Sequence, residues 1–157
     1  MQPADWPAVA AIYREGIDEG NATFETSVPS WEGWDAGHLA HSRLVAVLEN
    51  EIIGWAALSA VSRRAVYAGV AETSVYVRSD ARGGGAGRAL LEDLIRSAEE
   101  HGIWMLQASI FPENQASARL CQGRGFRVVG RRERIAQQNG AWRDTIILER
   151  RSGRVGV

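Results

Sequence analysis

Apolar residues recur at helical spacing early in the chain, at Trp6, Val9, Ala10, Ile12, Tyr13 and Ile17. That spacing gives a helix one buried stripe. Asp5 stands before it as an N-cap, and Pro7 falls in the first turn, where a missing N–H costs little. Gly20-Asn21-Ala22-Thr23-Phe24 breaks the period. Ser30 then caps a shorter predicted helix running to about His41, with Trp31, Trp34 and Leu39 on one face. The pattern next shifts to strand-sized apolar runs at Leu44–Leu48 and Ile52–Leu58, joined by the turn Glu49-Asn50-Glu51. After a loop carrying Arg63, Arg64 and Tyr67, a third strand is predicted over Val70–Val77.

Gly83 to Gly87 lead into a long predicted helix with Leu90, Leu91, Leu94, Ile95 and Ala98 on one face. Its solvent side offers Glu92 and Arg96 at the supportive four-residue spacing, and His101-Gly102 ends it. Met105–Ile110 reads as a strand and Gln115–Arg124 as a helix stopped by Gly125. Phe126–Val129 and Thr145–Leu148 read as strands, followed by an arginine-rich tail. The order helix, helix, three strands, helix, strand, helix, two strands predicts an α/β fold, a mixed sheet with helices on both faces. The length, 157 residues, suits one domain with one core, taken as residues 1–157.

Composition narrows the chemistry. Apolar residues make up 45% and charged residues 24%, with a formal charge of −1. That balance gives no electrostatic footprint for nucleic acid or an anionic membrane, and no apolar run is long enough to span a bilayer. All 18 cationic side chains are arginines, so a Walker lysine, a Schiff-base lysine and a lysine base are excluded. His38, His41 and His101 lack metal-site spacing, and no paired cysteines join them, so no metal is expected. The single cysteine, Cys121, suits a reducing, cytoplasmic setting.

Arg82-Gly83-Gly84-Gly85-Ala86-Gly87-Arg88 lies between a predicted strand and a predicted helix. Glycines there allow a tight turn and close approach of a ligand, and the helix start presents unpaired N–H groups to an anion such as a pyrophosphate. A tight turn with no ligand is the plain alternative. The Rossmann pattern fails for want of a third glycine, and the P-loop for want of lysine. What fits is Arg-x-x-Gly-x-Gly, on Arg82, Gly85 and Gly87.

With that loop the sequence resembles the GNAT acetyltransferases, in particular the phosphinothricin acetyltransferase branch. The likeness extends to Ala71-Glu72-Thr73-Ser74-Val75-Tyr76-Val77 before the loop and Pro112-Glu113-Asn114-Gln115-Ala116-Ser117 after it. Gly123-Arg124-Gly125-Phe126 and Gly140-Ala141-Trp142-Arg143-Asp144 follow in family order. The resemblance covers about Asp5 to Arg151. It implies the GNAT fold, a mostly antiparallel sheet splayed between Val70–Val77 and Met105–Ile110, with acetyl-CoA as cosubstrate. Val75, Tyr76 and Val77 would hold the pantetheine arm. Arg82, Gly83, Gly85, Ala86, Gly87 and Arg88 would hold the pyrophosphate, and Asn114 and Ser117 would complete the cofactor set.

Strand alternation places Glu72, Ser74 and Tyr76 on one face and Ala71, Thr73, Val75 and Val77 on the other. An ammonium must lose a proton before attacking a thioester, and a positioned carboxylate can take it. The resemblance gives that role to Glu72; the tetrahedral oxyanion then needs a donor, for which a backbone N–H near Val75 or Tyr76 is the candidate. Arg64 and Tyr67, with Phe24 and Ser74, match substrate-contacting positions, the guanidinium suiting a carboxylate. The plain alternatives are surface charge for the arginines and core packing for Phe24. A homodimer is implied as well.

Two features depart from the family. Cys121 stands where this branch has His and other members a proton-donating Tyr; it reads as packing, with water protonating CoA. Met1-Gln2-Pro3-Ala4 is too short for the edge strand that members carry before the first helix. The function implied is N-acetylation of a small amino-acid-like acceptor of the phosphinothricin or methionine sulfoximine type. Acetylation of a protein or peptide, and a non-catalytic acyl-CoA sensor needing the glycine loop but not Glu72, are the alternatives.

Overall fold

The computed structural model describes residues 1–157. A short 3-10 turn, Pro3–Asp5, precedes helix α1 (Trp6–Asp18), and α2 covers Trp31–Gly37. Strands β1 (Leu44–Leu48), β2 (Glu51–Ala60) and β3 (Val70–Val77) follow, then α3 (Ala86–Glu100), β4 (Met105–Ile110) and α4 (Gln115–Gln122). The chain ends in β5 (Arg127–Gln138) and β6 (Ala141–Arg151). The sheet order is β1-β2-β3-β4-β6-β5. Every neighbouring pair is antiparallel except β3 and β4, which run parallel.

Helices cover both faces, as the element order predicts. On one face the apolar stripe of α3 (Leu90, Leu91, Leu94, Ile95, Ala98) packs with Leu58, Ala71, Leu106 and Leu148. On the other, Val9, Ile12, Tyr13 and Ile17 of α1 join Trp34 and Trp55. Burying such side chains is worth roughly 1.5–3 kcal/mol each, so the two stripes fix how the helices sit on the sheet.

Local signals held in part. Ser30 caps α2 by accepting from Gly33 N–H at 3.2 Å, but α2 stops at Gly37 rather than His41. Asp5 does not cap α1; its carboxylate accepts from Gln2 N–H at 2.6 Å and closes the preceding 3-10 turn instead. Glu92 bonds Arg88 and Arg124, and Arg96 turns to Asp93. The largest difference is the final hairpin, whose strands are 12 and 11 residues long. Its turn, Asn139-Gly140, has positive φ at both residues (51° and 80°), the two-residue geometry that Asn-Gly favours. Arg131-Arg132-Glu133-Arg134 carries no apolar alternation, so β5 is held by the β6 ladder rather than by its own burial. No helix is long and apolar enough to cross a membrane.

Candidate active site

The parallel pairing of β3 with β4 lasts only three rungs, Val70 with Met105, Ala71 with Leu106 and Glu72 with Gln107. Beyond Glu72 the strands part: β3 stays paired to β2 through Val77, and β4 to β6 through Ile110. The hydrogen-bond parity of β3 settles which groups face the gap. Arg78 N–H donates to Ile53 O and Val61 N–H to Val70 O, so the even-numbered residues of β3 turn their main chain toward β2. The odd ones, Thr73, Val75 and Val77, turn theirs into the gap. Of the two candidate oxyanion donors, Val75 N–H therefore faces the opening and Tyr76 N–H does not.

Two connected cavities occupy this opening, sharing Ala22, Val75, Tyr76, Asn114, Ser117 and Leu120. The outer one, about 440 Å³, runs along Val77, Arg82, Gly83, Gly85, Ala86, Gly87 and Arg88. Gly83 and Gly85 have φ of 80° and 91°, and a Cβ at either would meet nothing within 4 Å. The loop therefore needs glycine for its backbone turn, and the space over it is open. Gly85 is the N-cap of α3, whose first turn contains no acidic residue, so the helix start keeps its anion preference. Arg82 folds back onto Val77 O (3.2 Å) and Glu19 (2.7 Å). Arg88 pairs with Glu92 at 3.1 Å. Asn114 caps α4 by accepting from Ser117 N–H and donates to Asn21 O, both at 3.1 Å. One amide hydrogen and one lone pair remain for a ligand.

The inner cavity, about 240 Å³, brings Glu72, Ser74, Phe24 and Cys121 together with Ser109, Phe111 and Thr145. Glu72 is the one charged side chain on its lining. Its carboxylate accepts from Gln107 Nε2 at 3.1 Å on the last paired rung, so Gln107 fixes its direction at the point where the strands part. Phe24 meets Phe111 edge-on, with ring centroids 4.7 Å apart. The Cys121 thiol is pushed up to about 11 by burial, which keeps it neutral and makes it a poorer proton donor than a free thiol. Burial likewise raises the Tyr76 phenol, which packs between Tyr13 and Trp55.

Arg64 and Tyr67 line neither cavity. They lie on the exposed β2–β3 connection, where the Arg64 guanidinium sits 5.5 Å from the Tyr67 ring centroid. The chain turns outward after Ala60 into a 3-10 turn, Ala65–Tyr67, and both residues are exposed there. Sequence reasoning also passed over a clasp at the other wall. Arg143 donates to Gly20 O (3.1 Å), Gln138 Oε1 (2.7 Å) and Asn21 Oδ1 (3.1 Å), and its guanidinium lies 4.0 Å over the Phe111 ring. Gln138 donates to Thr23 O at 2.8 Å. Together they fasten segment 20–24, which walls the inner cavity. The Asn139-Gly140 turn was the available signal, since it places Gln138 and Arg143 on facing strands.

A strand that leaves its parallel neighbour, a glycine loop at a helix start beside the gap and a carboxylate at the fork form one arrangement, and the chain that carries it matches known proteins. The acetyltransferase (GNAT) family model matches residues 6–126. This chain belongs to the GNAT acetyltransferase family. The L-methionine sulfoximine/L-methionine sulfone acetyltransferase of Pseudomonas aeruginosa is 30% identical over 93% of this chain and 88% of its own. The Sinorhizobium meliloti phosphinothricin acetyltransferase, solved in complex with acetyl-CoA, superposes with a TM-score of 0.88 at 30% identity, over 99% of this chain and 88% of that one. A ribosomal-protein-alanine N-acetyltransferase from Brucella melitensis superposes equally well, TM-score 0.88 at 31% identity, over 97% of each chain. As a GNAT enzyme the chain takes acetyl-CoA as cosubstrate. The outer cavity fits it: glycine main chain and a free helix start for the pyrophosphate, and the gap-facing groups of Val75 and Val77 for an amide-bearing arm.

Proposed function

We propose that this GNAT enzyme moves the acetyl group of acetyl-CoA to the α-amino group of a small amino-acid-like acceptor, of the phosphinothricin or methionine sulfoximine type. The observation that carries this reading is the solitary charge of the inner cavity. A lone carboxylate at the fork suits an incoming ammonium, first as counter-ion and then as the base that takes its proton. Gln107 holds Glu72 toward the opening. Val75 N–H is placed to meet charge developing on the thioester oxygen. Cys121 packs, and water returns the proton to the leaving thiolate. Phe24 and Ser74 flank the acceptor, while Arg64 and Tyr67 are left out of the acceptor set. The catalytic unit is residues 1–157 as one domain, working as a homodimer in the cytoplasm.

The likeness to a ribosomal-protein-alanine N-acetyltransferase favours a second reading, a protein N-terminus as acceptor. Against it stands the clasped wall of residues 20–24, which narrows the inner cavity to about 240 Å³. CoA-thiol release tests the two. The panel is L-phosphinothricin, L-methionine sulfoximine, L-methionine sulfone, the proteinogenic amino acids and an alanine-starting peptide. Fast release with the tetrahedral analogues and none with the peptide is expected; release with the peptide alone would contradict the reading.

A further inference from the structure

An acetyl group passed from the outer cavity to the inner one must cross where the two meet. Of the residues that line both cavities, only Tyr76, Asn114 and Ser117 carry polar side chains. Tyr76 is held in place: its ring packs between Tyr13 and Trp55, with centroids 5.0 and 4.7 Å away. Asn114 already serves two partners, accepting from Ser117 N–H and donating to Asn21 O. Ser117 differs. Its N–H is used in that cap, but its hydroxyl makes no hydrogen bond within the protein, not even to the carbonyl four residues back that helix serines often take. The residue is half-buried on the wall of the cleft, so this hydroxyl is a donor left open to whatever lies at the junction.

The course of α4 shows where that donor stands. Ala116 lines only the outer cavity, Ser117 and Leu120 line both, and Cys121 lines only the inner one. Ser117 and Cys121 are four residues apart and so share a helix face, which crosses from one cavity to the other at Ser117. The facing wall of the same junction is β3, where Val75 turns its N–H into the gap. A thioester at the junction thus has a donor on the strand for its oxygen and a second donor on the helix. Cys121 offers no substitute, since its thiol is a weak donor packed in the apolar cluster under α3.

We infer that Ser117 is a catalytic residue whose hydroxyl donates a hydrogen bond to the sulfur of the departing CoA. As the acceptor nitrogen bonds to the carbonyl carbon and the C–S bond breaks, the C–S electron pair goes to sulfur. Ser117 keeps its proton and shares it with that sulfur. A water then supplies the proton that makes the CoA thiol, while Glu72 takes the one that the amine gives up. The inference deepens the proposed transfer and rests on its use of acetyl-CoA, whichever acceptor is taken.

The thiol of bound CoA tests this with no acceptor present, because a hydrogen bond to a thiolate lowers the pKa of the thiol. CoA is bound to wild type, Ser117→Ala, Ser117→Thr and Cys121→Ala, and its thiolate is titrated by ultraviolet absorbance. Ser117→Ala is expected to raise the pKa of the bound thiol by about one unit, the loss of one hydrogen bond to a charged group. Ser117→Thr should restore it, and Cys121→Ala should leave it at the wild-type value. In single turnovers with L-methionine sulfoximine, Ser117→Ala should slow transfer about tenfold, with the Kd for acetyl-CoA unchanged. The cap on Asn114 uses main chain and survives the substitution, so the Ala variant should melt as wild type does. A bound thiol that titrates alike in wild type and Ser117→Ala would overturn the inference. So would an Ala variant that binds acetyl-CoA more weakly but transfers at the wild-type rate. A wild-type enzyme with the lowered thiol pKa that acetylates only the peptide would overturn the small-acceptor reading alone.

Discussion

The outer half of the cleft is lined by main chain and cations, the inner half by side chains grouped about one carboxylate. Over the loop Arg82–Arg88 the lining is glycine backbone, a helix start and two arginines, groups that suit a pyrophosphate by charge and shape. Past the fork at Glu72 the lining becomes hydroxyls, two phenylalanines and the single charge of Glu72. A cosubstrate common to a whole family can be held by backbone that few substitutions alter. An acceptor that differs between members needs side chains, which can change without disturbing the sheet.

Substitutions can pull the halves apart. The largest effect is expected at Glu72: Glu72→Gln should cost about 100-fold or more in kcat, while the Kd for acetyl-CoA, read by calorimetry, stays at the wild-type value. Gly85→Val acts on the other half. Its Cβ would clash with nothing, but φ of 91° is strained for any other residue. The KM for acetyl-CoA should rise about tenfold with the acceptor KM little changed, and a rise in the acceptor KM alone would break the comparison.

Arg143→Ala should loosen segment 20–24. Its acceptor KM should rise several-fold and Tm fall by about 5 °C, with acetyl-CoA binding kept. Cys121→Ala has the smallest expected effect, turnover within about twofold. Since burial holds the thiol near 11, it stays protonated through the assay range, and the pH–rate profile should keep its shape between about pH 6 and 9. A basic limb lost in this variant would make Cys121 a proton donor after all.

The outer half was legible in the sequence because it depends on local chemistry. Arg82, Gly85 and Gly87 sit within one turn, and β3, α3 and β4 show strong apolar periods with glycine stops. Glu72 stood out through its place on the strand leading into that loop, and it does line the inner cavity. The inner half depends on contacts between distant segments. Gln138 and Arg143 reach residues 20–24 across more than 110 positions of chain. Such contacts have no local signature. Arg64 and Tyr67 teach the converse: proximity in sequence to β3 did not bring them into the inner cavity, because the chain turns outward between β2 and β3.

The most direct measurement is the position of the acetyl group in the product. Wild-type enzyme and Glu72→Gln would each be incubated with acetyl-CoA and L-methionine sulfoximine, and the product analysed by NMR. A single acetyl group on the α-nitrogen, formed by wild type and nearly absent with the variant, is the predicted result. Acetylation at the sulfoximine nitrogen, or α-acetylation by Glu72→Gln at the wild-type rate, would contradict the account of an amine held and deprotonated at Glu72.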